Sequence, residues 1–91
     1  MAKSLHCVIT GKVQGVFFRA WTHDQAEQLG VAGWVRNIGD RKVEVMAQGP
    51  EQALQDFKNR LRQGSPLSRV EEVKSDWVDH DKTYESFQIR G

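Results

Sequence analysis

The sequence predicts an α+β fold, a ferredoxin-like α/β sandwich: β-α-β-β-α-β plus a short final strand, with two helices on one face of an antiparallel sheet. Three observations lead there. Five stretches carry β-type patterning, two others repeat apolar residues at helical spacing, and 91 residues without repeats or linkers allow one domain over residues 1–91.

The first strand is expected over residues 5–12, where Leu5, Cys7 and Ile9 fall on one face and His6, Val8 and Thr10 on the other. Gly11 and Gly15 mark residues 11–18 as a loop. A helix follows from Arg19 to Leu29, because Phe18, Thr22, Ala26 and Leu29 are spaced by 4, 4 and 3, and Gly30 supplies a stop. Residues 33–38 and 42–48 read as a hairpin turning around Gly39-Asp40-Arg41. In its second strand Val43, Val45 and Ala47 share one face, and Glu44, Met46 and Gln48 the other. Pro50 suits the first turn of a second helix, where a missing N–H costs little. That helix carries the stripe Leu54, Phe57 and Leu61 and ends at Gly64-Ser65-Pro66. Residues 69–79 and 84–90 read as two further strands, split by the polar segment His80-Asp81-Lys82-Thr83.

Composition excludes several function classes. Lys and Arg number 13 against 12 Asp and Glu, so a nucleic-acid partner would need a local basic patch, and none is expected. A single cysteine, Cys7, rules out an internal disulfide and a four-cysteine zinc site; alternating with Leu5 and Ile9, it reads as an inert buried thiol. No apolar run approaches the roughly 20 residues of a membrane span, and Cys7-Val8-Ile9 is too short for a signal peptide. The expectation is a small cytoplasmic monomer.

The stretch that carries chemistry is residues 11–19, G-K-V-Q-G-V-F-F-R. It leaves a strand, passes two glycines and enters a helix with an arginine in its first turn. A helix N-terminus presents unpaired N–H groups and partial positive charge, and glycine lets successive N–H groups converge. Arginine adds a planar fork for two anion oxygens. Together these make a cradle for a small dianion such as a phosphoryl group. A glycine-containing connection followed by a surface arginine accounts for the same residues equally well. No G-K-[ST] follows Gly15, so this is not a Walker A loop.

Gly11, Val13, Gln14, Gly15, Val16, Phe18 and Arg19 follow the pattern G-x-V-Q-G-V-x-F-R, the first motif of the acylphosphatase family, which this sequence resembles. Gly33, Trp34, Val35, Arg36, Asn37, Val43 and Gly49 match that family's second motif at its spacing. The stretch G-S-P-x-S-R-V at residues 64–70 and the closing F-x-I-R at 87–90 extend the likeness over nearly the whole chain. One departure is visible: Arg41 stands where the family usually has glycine, so either position 41 is strained or the turn uses Gly39 as its permissive residue. The length is also that of a free-standing member of the family.

The resemblance implies hydrolysis of the carboxyl-phosphate bond of acyl phosphates to a carboxylate and inorganic phosphate, without metal or cofactor. It implies that the backbone N–H groups of Gly15, Val16, Phe17, Phe18 and Arg19, with the Arg19 guanidinium, hold the phosphoryl oxygens. Inorganic phosphate or a similar anion would occupy the same loop. Asn37 would orient the attacking water. The apolar positions suggest no clear pocket for the acyl group.

Other chemistry-bearing residues read as structural. His6, His23 and His80 share no metal-ligand spacing, although His23 lies one helical turn beyond Arg19. Thr22 is read as buried or bonded to its own helix rather than to the loop. Trp34 is read as core packing, and Glu71, Glu72, Asp79 and Asp81 as solvated carboxylates. An RNA-recognition domain shares the element order, but K-V-E-V-M-A-Q at 42–48 lacks its strand aromatics. An anion-sensing domain without turnover remains the second rival; Asn37 argues against it, because phosphate binding alone needs no water-orienting amide.

Overall fold

The computed structural model describes residues 3–79 and 82–91, so His80 and Asp81 lie outside the described residues. Strand β1 (Lys3–Lys12) buries Leu5, Cys7 and Ile9 and leaves His6, Val8 and Thr10 half-buried, as the alternation requires. Then come helix α1 (Phe18–Leu29), β2 (Ala32–Ile38), β3 (Lys42–Gly49), α2 (Glu51–Gln63), β4 (Arg69–Val78) and β5 (Phe87–Ile89). The sheet order is β4-β1-β3-β2-β5. Both helices lie against one face, and Leu54, Phe57 and Leu61 of α2 are fully buried there with Phe18 and Ala26 of α1. Burial of this stripe, and not helix propensity, is what holds so short a helix in place. Pro50 stands one residue before α2, in extended conformation, rather than inside its first turn.

Four strands pair antiparallel, as expected, but β5 runs parallel to β2, with Gly33 opposite Phe87 and Val35 opposite Ile89. The sheet is therefore mixed. The reason is the route of the chain. Leaving β4 at one edge, it crosses to the far edge and arrives where β2 begins, so it can only travel alongside β2. The crossing is tied to Gln48, whose Nε2 donates to the Lys82 carbonyl (2.8 Å) and whose Oε1 accepts the Tyr84 N–H (2.8 Å). With its N–H committed to a side chain, Tyr84 does not enter a ladder. The last strand accordingly spans Phe87–Ile89 and not the expected 84–90.

The same crossing corrects the reading of Trp34. Its side chain is buried, but its partner in register, Met46, lies on the face away from the helices. Trp34 is covered there by Tyr84, whose hydroxyl accepts the indole N–H at 3.0 Å, and by the Arg36 and Arg90 guanidinium groups 5.2 and 5.0 Å from its ring. Trp34 thus seals the outer face and takes no part in the central core.

Thr22 is fully buried, and its hydroxyl has no hydrogen-bond partner among the described residues. Burial without a partner costs a hydroxyl free energy that the isosteric Thr22→Val change removes. That variant should be more stable by about 1 kcal/mol, read as a higher midpoint in denaturant melts with an unchanged slope.

Candidate active site at the start of helix α1

Residues 13–18 are pinned at both ends. Val13 and the Phe18 ring are each 1% exposed, and between them Val16 packs against the core. Gly15 and Phe17 take left-handed backbone angles, φ 72° and 60°, on either side of Val16, which does not. Such an alternation turns successive N–H groups into a shared concavity. Glycine adopts this conformation freely, whereas a side chain there costs on the order of 1 kcal/mol, so Phe17 is strained. It is also 81% exposed and makes no side-chain capping bond.

The first helical bond of this turn runs from the Trp21 N–H to the Phe17 carbonyl (3.0 Å). The N–H groups just before Trp21 therefore have no helical acceptor. No acidic residue occupies the first turn of α1 to neutralise the positive end of the helix.

Arg19 is half-buried, and its Nη1 donates to the Arg90 carbonyl at 3.0 Å. Among the described residues no carboxylate pairs with it, in contrast to Arg36, which binds Glu44, and Arg41, which binds Glu71. That bond orients the guanidinium, and no described carboxylate compensates its charge. Asn37 reaches the same place from the sheet. Gly33, Val35 and Asn37 share the helix-side face of β2, and Asn37 stands opposite Val43 near the end of that strand. Arg19, Asn37, Gly15, Phe17 and Phe18 all border one open depression of about 430 Å³. Of the five loop residues singled out by sequence, only Val16 does not border it, because its side chain turns inward.

A tie that the sequence reading missed links the two halves of this site. The Gln14 amide donates to the carbonyls of Gly39 and Lys42, both at 2.9 Å, and the Gly11 N–H donates to the Arg41 carbonyl at 2.9 Å. The loop is thereby sewn to the β2–β3 turn just beyond Asn37. Gln14 was visible as a motif letter, but nothing in its spacing named its acceptors. The turn itself uses Gly39, at φ 58°, as its left-handed residue, so Arg41 carries no strain there. Ile89, 47% exposed on β5, was also overlooked and borders the depression as well.

The remaining candidates lie elsewhere. His23 turns toward Asp24, Glu27 and the Phe87 ring, and Thr22 lies in the core. Cys7 is fully buried, and burial pushes its thiol up to about 12, so it is not a nucleophile near neutral pH. No group of three or more His, Cys, Asp or Glu able to hold a metal occurs among the described residues. A second open hollow of about 580 Å³ lies at the opposite end of the sheet, but its cation, Lys3, is paired with Glu51 and sits over Trp77. On the outer face Glu44 accepts from Arg36 Nε (2.6 Å) and bonds His6 Nε2 (2.7 Å). Burial alone would raise the Glu44 carboxyl, yet the hydrogen bonds from His6 and Arg36, and their charge, hold it below its ordinary value of 4.5.

Comparison with known proteins gives the family and the fold. Residues 5–89 match the family model described as Acylphosphatase. The chain is 41% identical over 90 residues to an acylphosphatase of Nitrosococcus oceani, covering 99% of this chain and 100% of the relative. It is 49% identical over 73 residues to one from Rhizorhabdus wittichii, covering 80% of this chain and 72% of the relative. The crystal structure of acylphosphatase from Bacillus subtilis superposes with a TM-score of 0.93 at 35% identity over 100% of both chains. No helix among the described residues is long and apolar enough to cross a membrane.

Two outcomes are expected. Gln14→Ala should destabilise the chain by about 1 kcal/mol and speed amide hydrogen exchange in residues 39–42 more than elsewhere. A carboxyl whose folded pKa lies below its unfolded one stabilises the fold above the unfolded value, and loses that contribution as pH falls through the folded one. Glu44→Gln should therefore flatten the acid side of the stability profile below pH 4.5, measured by denaturant melts across pH.

Proposed function

The chain belongs to the acylphosphatase family, whose reaction is the hydrolysis of acyl phosphates, and from that premise we propose how its own residues carry the reaction out. The N–H groups of Gly15, Val16, Phe17, Phe18 and Arg19 hold the phosphoryl oxygens together with the Arg19 guanidinium. Asn37 orients the attacking water through its amide. The whole reaction is assigned to one domain, with inorganic phosphate, the product, occupying the same cradle. The observation that supports this reading most is that Arg19, with no carboxylate partner among the described residues, and Asn37, from a different element, border a single depression.

Phosphoryl transfer proceeds largely through positioning and charge stabilisation. A carboxylate is a good leaving group and needs no general acid. Asparagine cannot serve as a base near neutral pH, since its amide does not titrate there. The described residues bordering the depression include neither a histidine nor a carboxylate. The water's proton therefore passes to a non-bridging oxygen of the substrate's own phosphoryl group, and the acyl group departs as its carboxylate. With an acceptor supplied by the substrate and charge supplied by Arg19, the reaction runs without a metal ion.

Hydrolysis of acetyl phosphate in the presence of a chelator tests this directly. The parent protein should turn over, with a rate that changes little between about pH 6 and 8; a bell-shaped profile owed to an enzyme histidine would contradict the proton route. Arg19→Ala should lose at least roughly 100-fold in kcat/KM, the scale of one anion-stabilising donor. Asn37→Ala should still bind inorganic phosphate and turn over poorly. A parent that binds phosphate and hydrolyses nothing would be an anion sensor.

A further inference from the structure

We propose that Phe17 and Ile89 form an acyl-group subsite beside the phosphoryl cradle, and that it selects acyl phosphates whose acyl group is apolar, aryl or alkyl, over short or charged ones. The proposal rests on the hydrolytic reading above and goes beyond it by naming the substrate class.

Two independent features of Phe17 point there. Its ring is 81% exposed at the edge of the depression that Arg19 and Asn37 border. Its backbone is left-handed, at φ 60°, the only such value at a non-glycine residue among those described. An exposed aromatic gains little from burial, and a left-handed aromatic is strained, so the folded state gains nothing evident from this side chain. Strain kept at a ligand site fits a role in binding. The second wall comes from a different part of the chain. Ile89 is 47% exposed on β5, held in register with Val35 of β2 and followed by the Arg90 N–H bond to the Val35 carbonyl at 2.8 Å. The parallel ladder thus fixes an apolar side chain at the rim of the same depression.

The chemistry of the substrate makes the pairing useful. Its phosphoryl end carries the charge and belongs to Arg19 and the loop N–H groups. Its acyl end projects away from that charge, so what it meets at the rim decides which acyl groups are held. Apart from Arg19, no charged side chain borders the depression among the described residues. An aryl group can stack against the Phe17 ring, and an alkyl chain can cover both side chains from water. A carboxylate or second phosphate on the acyl group would find no further cation there.

The test compares kcat/KM for benzoyl phosphate and acetyl phosphate in the parent, Phe17→Ala, Phe17→Leu and Ile89→Ala. Intrinsic leaving-group ability is the same for every variant, so the readout is the change in the benzoyl-to-acetyl ratio. That ratio should fall about 5- to 20-fold in Phe17→Ala and by a smaller factor in Ile89→Ala, and Phe17→Leu should restore most of it. Phe17→Gly should raise the thermal midpoint by a few degrees, because it releases the left-handed strain, while still lowering the ratio. A purely structural role would move stability and leave the ratio alone. Ratios unchanged in both Phe17→Ala and Ile89→Ala, with acetyl phosphate still hydrolysed by the parent, would overturn the subsite and leave the hydrolytic reading standing. A parent that hydrolyses neither compound would overturn that reading and the subsite with it.

Discussion

The burial of Val13 and Phe18 on either side of a four-residue loop is the constraint on which the site depends. With both ends anchored in the core, residues 14–17 have little freedom left, and the left-handed turns at Gly15 and Phe17 become the route that closes the gap. The same anchoring fixes where α1 begins, because Phe18 packs against Trp21 at 5.4 Å between ring centres and sets the first turn on the sheet. Arg19 follows by one residue. Its position therefore derives from apolar packing, and its hydrogen bond to the Arg90 carbonyl only trims the angle of the guanidinium.

The second half of the site is positioned by a different force. Asn37 is exposed near the end of β2, where no core contact defines it. What limits it is the ladder to β3 on one side and the Gln14 amide on the far side of the turn. Hydrogen bonds of this exposed kind contribute modestly to stability, on the order of 1 kcal/mol each, but they are directional. Packing thus supplies most of the free energy here and the polar ties supply the relative placement. A chain of 91 residues buries too small a core to carve a deep cleft, so the depression stays open and is shaped by surface elements held by such ties.

Much of this was legible in the sequence because periodicity reports which residues share a face. The alternation of Leu5, Cys7 and Ile9 and the stripe Leu54, Phe57 and Leu61 both proved to be the buried sets. The motif at residues 11–19, with the second motif that carries Asn37, led to the family and to most of the residues that border the depression. Four things could not be read. Periodicity does not reveal what covers a face, so Trp34 looked like core when a crossing segment and two guanidinium groups cover it on the outer side. It does not reveal strand direction, and the parallel β5 follows from a chain route set by Gln48. It is silent on long-range polar acceptors, which left Gln14 a letter without a role. The apolar rim at Phe17 and Ile89 escaped for a related reason: the two positions are far apart in the chain, and only the packing of α1 and the β2–β5 ladder on one sheet brings both to one depression.

The strand order has one further consequence, which concerns the edges of the sheet. One outer strand, β5, is only three residues long, whereas the other, β4, runs for ten, its open side a row of backbone groups that no strand among the described residues pairs with. A row of that length is a template for a strand from another molecule, and so a route to aggregation. Half of its residues, Arg69, Glu71, Glu72, Lys74 and Asp76, are charged. Any incoming strand would have to strip water from them before its backbone could engage. The polarity of β4, which contributes no residue to the depression, is in this light the feature that keeps a long open edge from accepting a foreign strand.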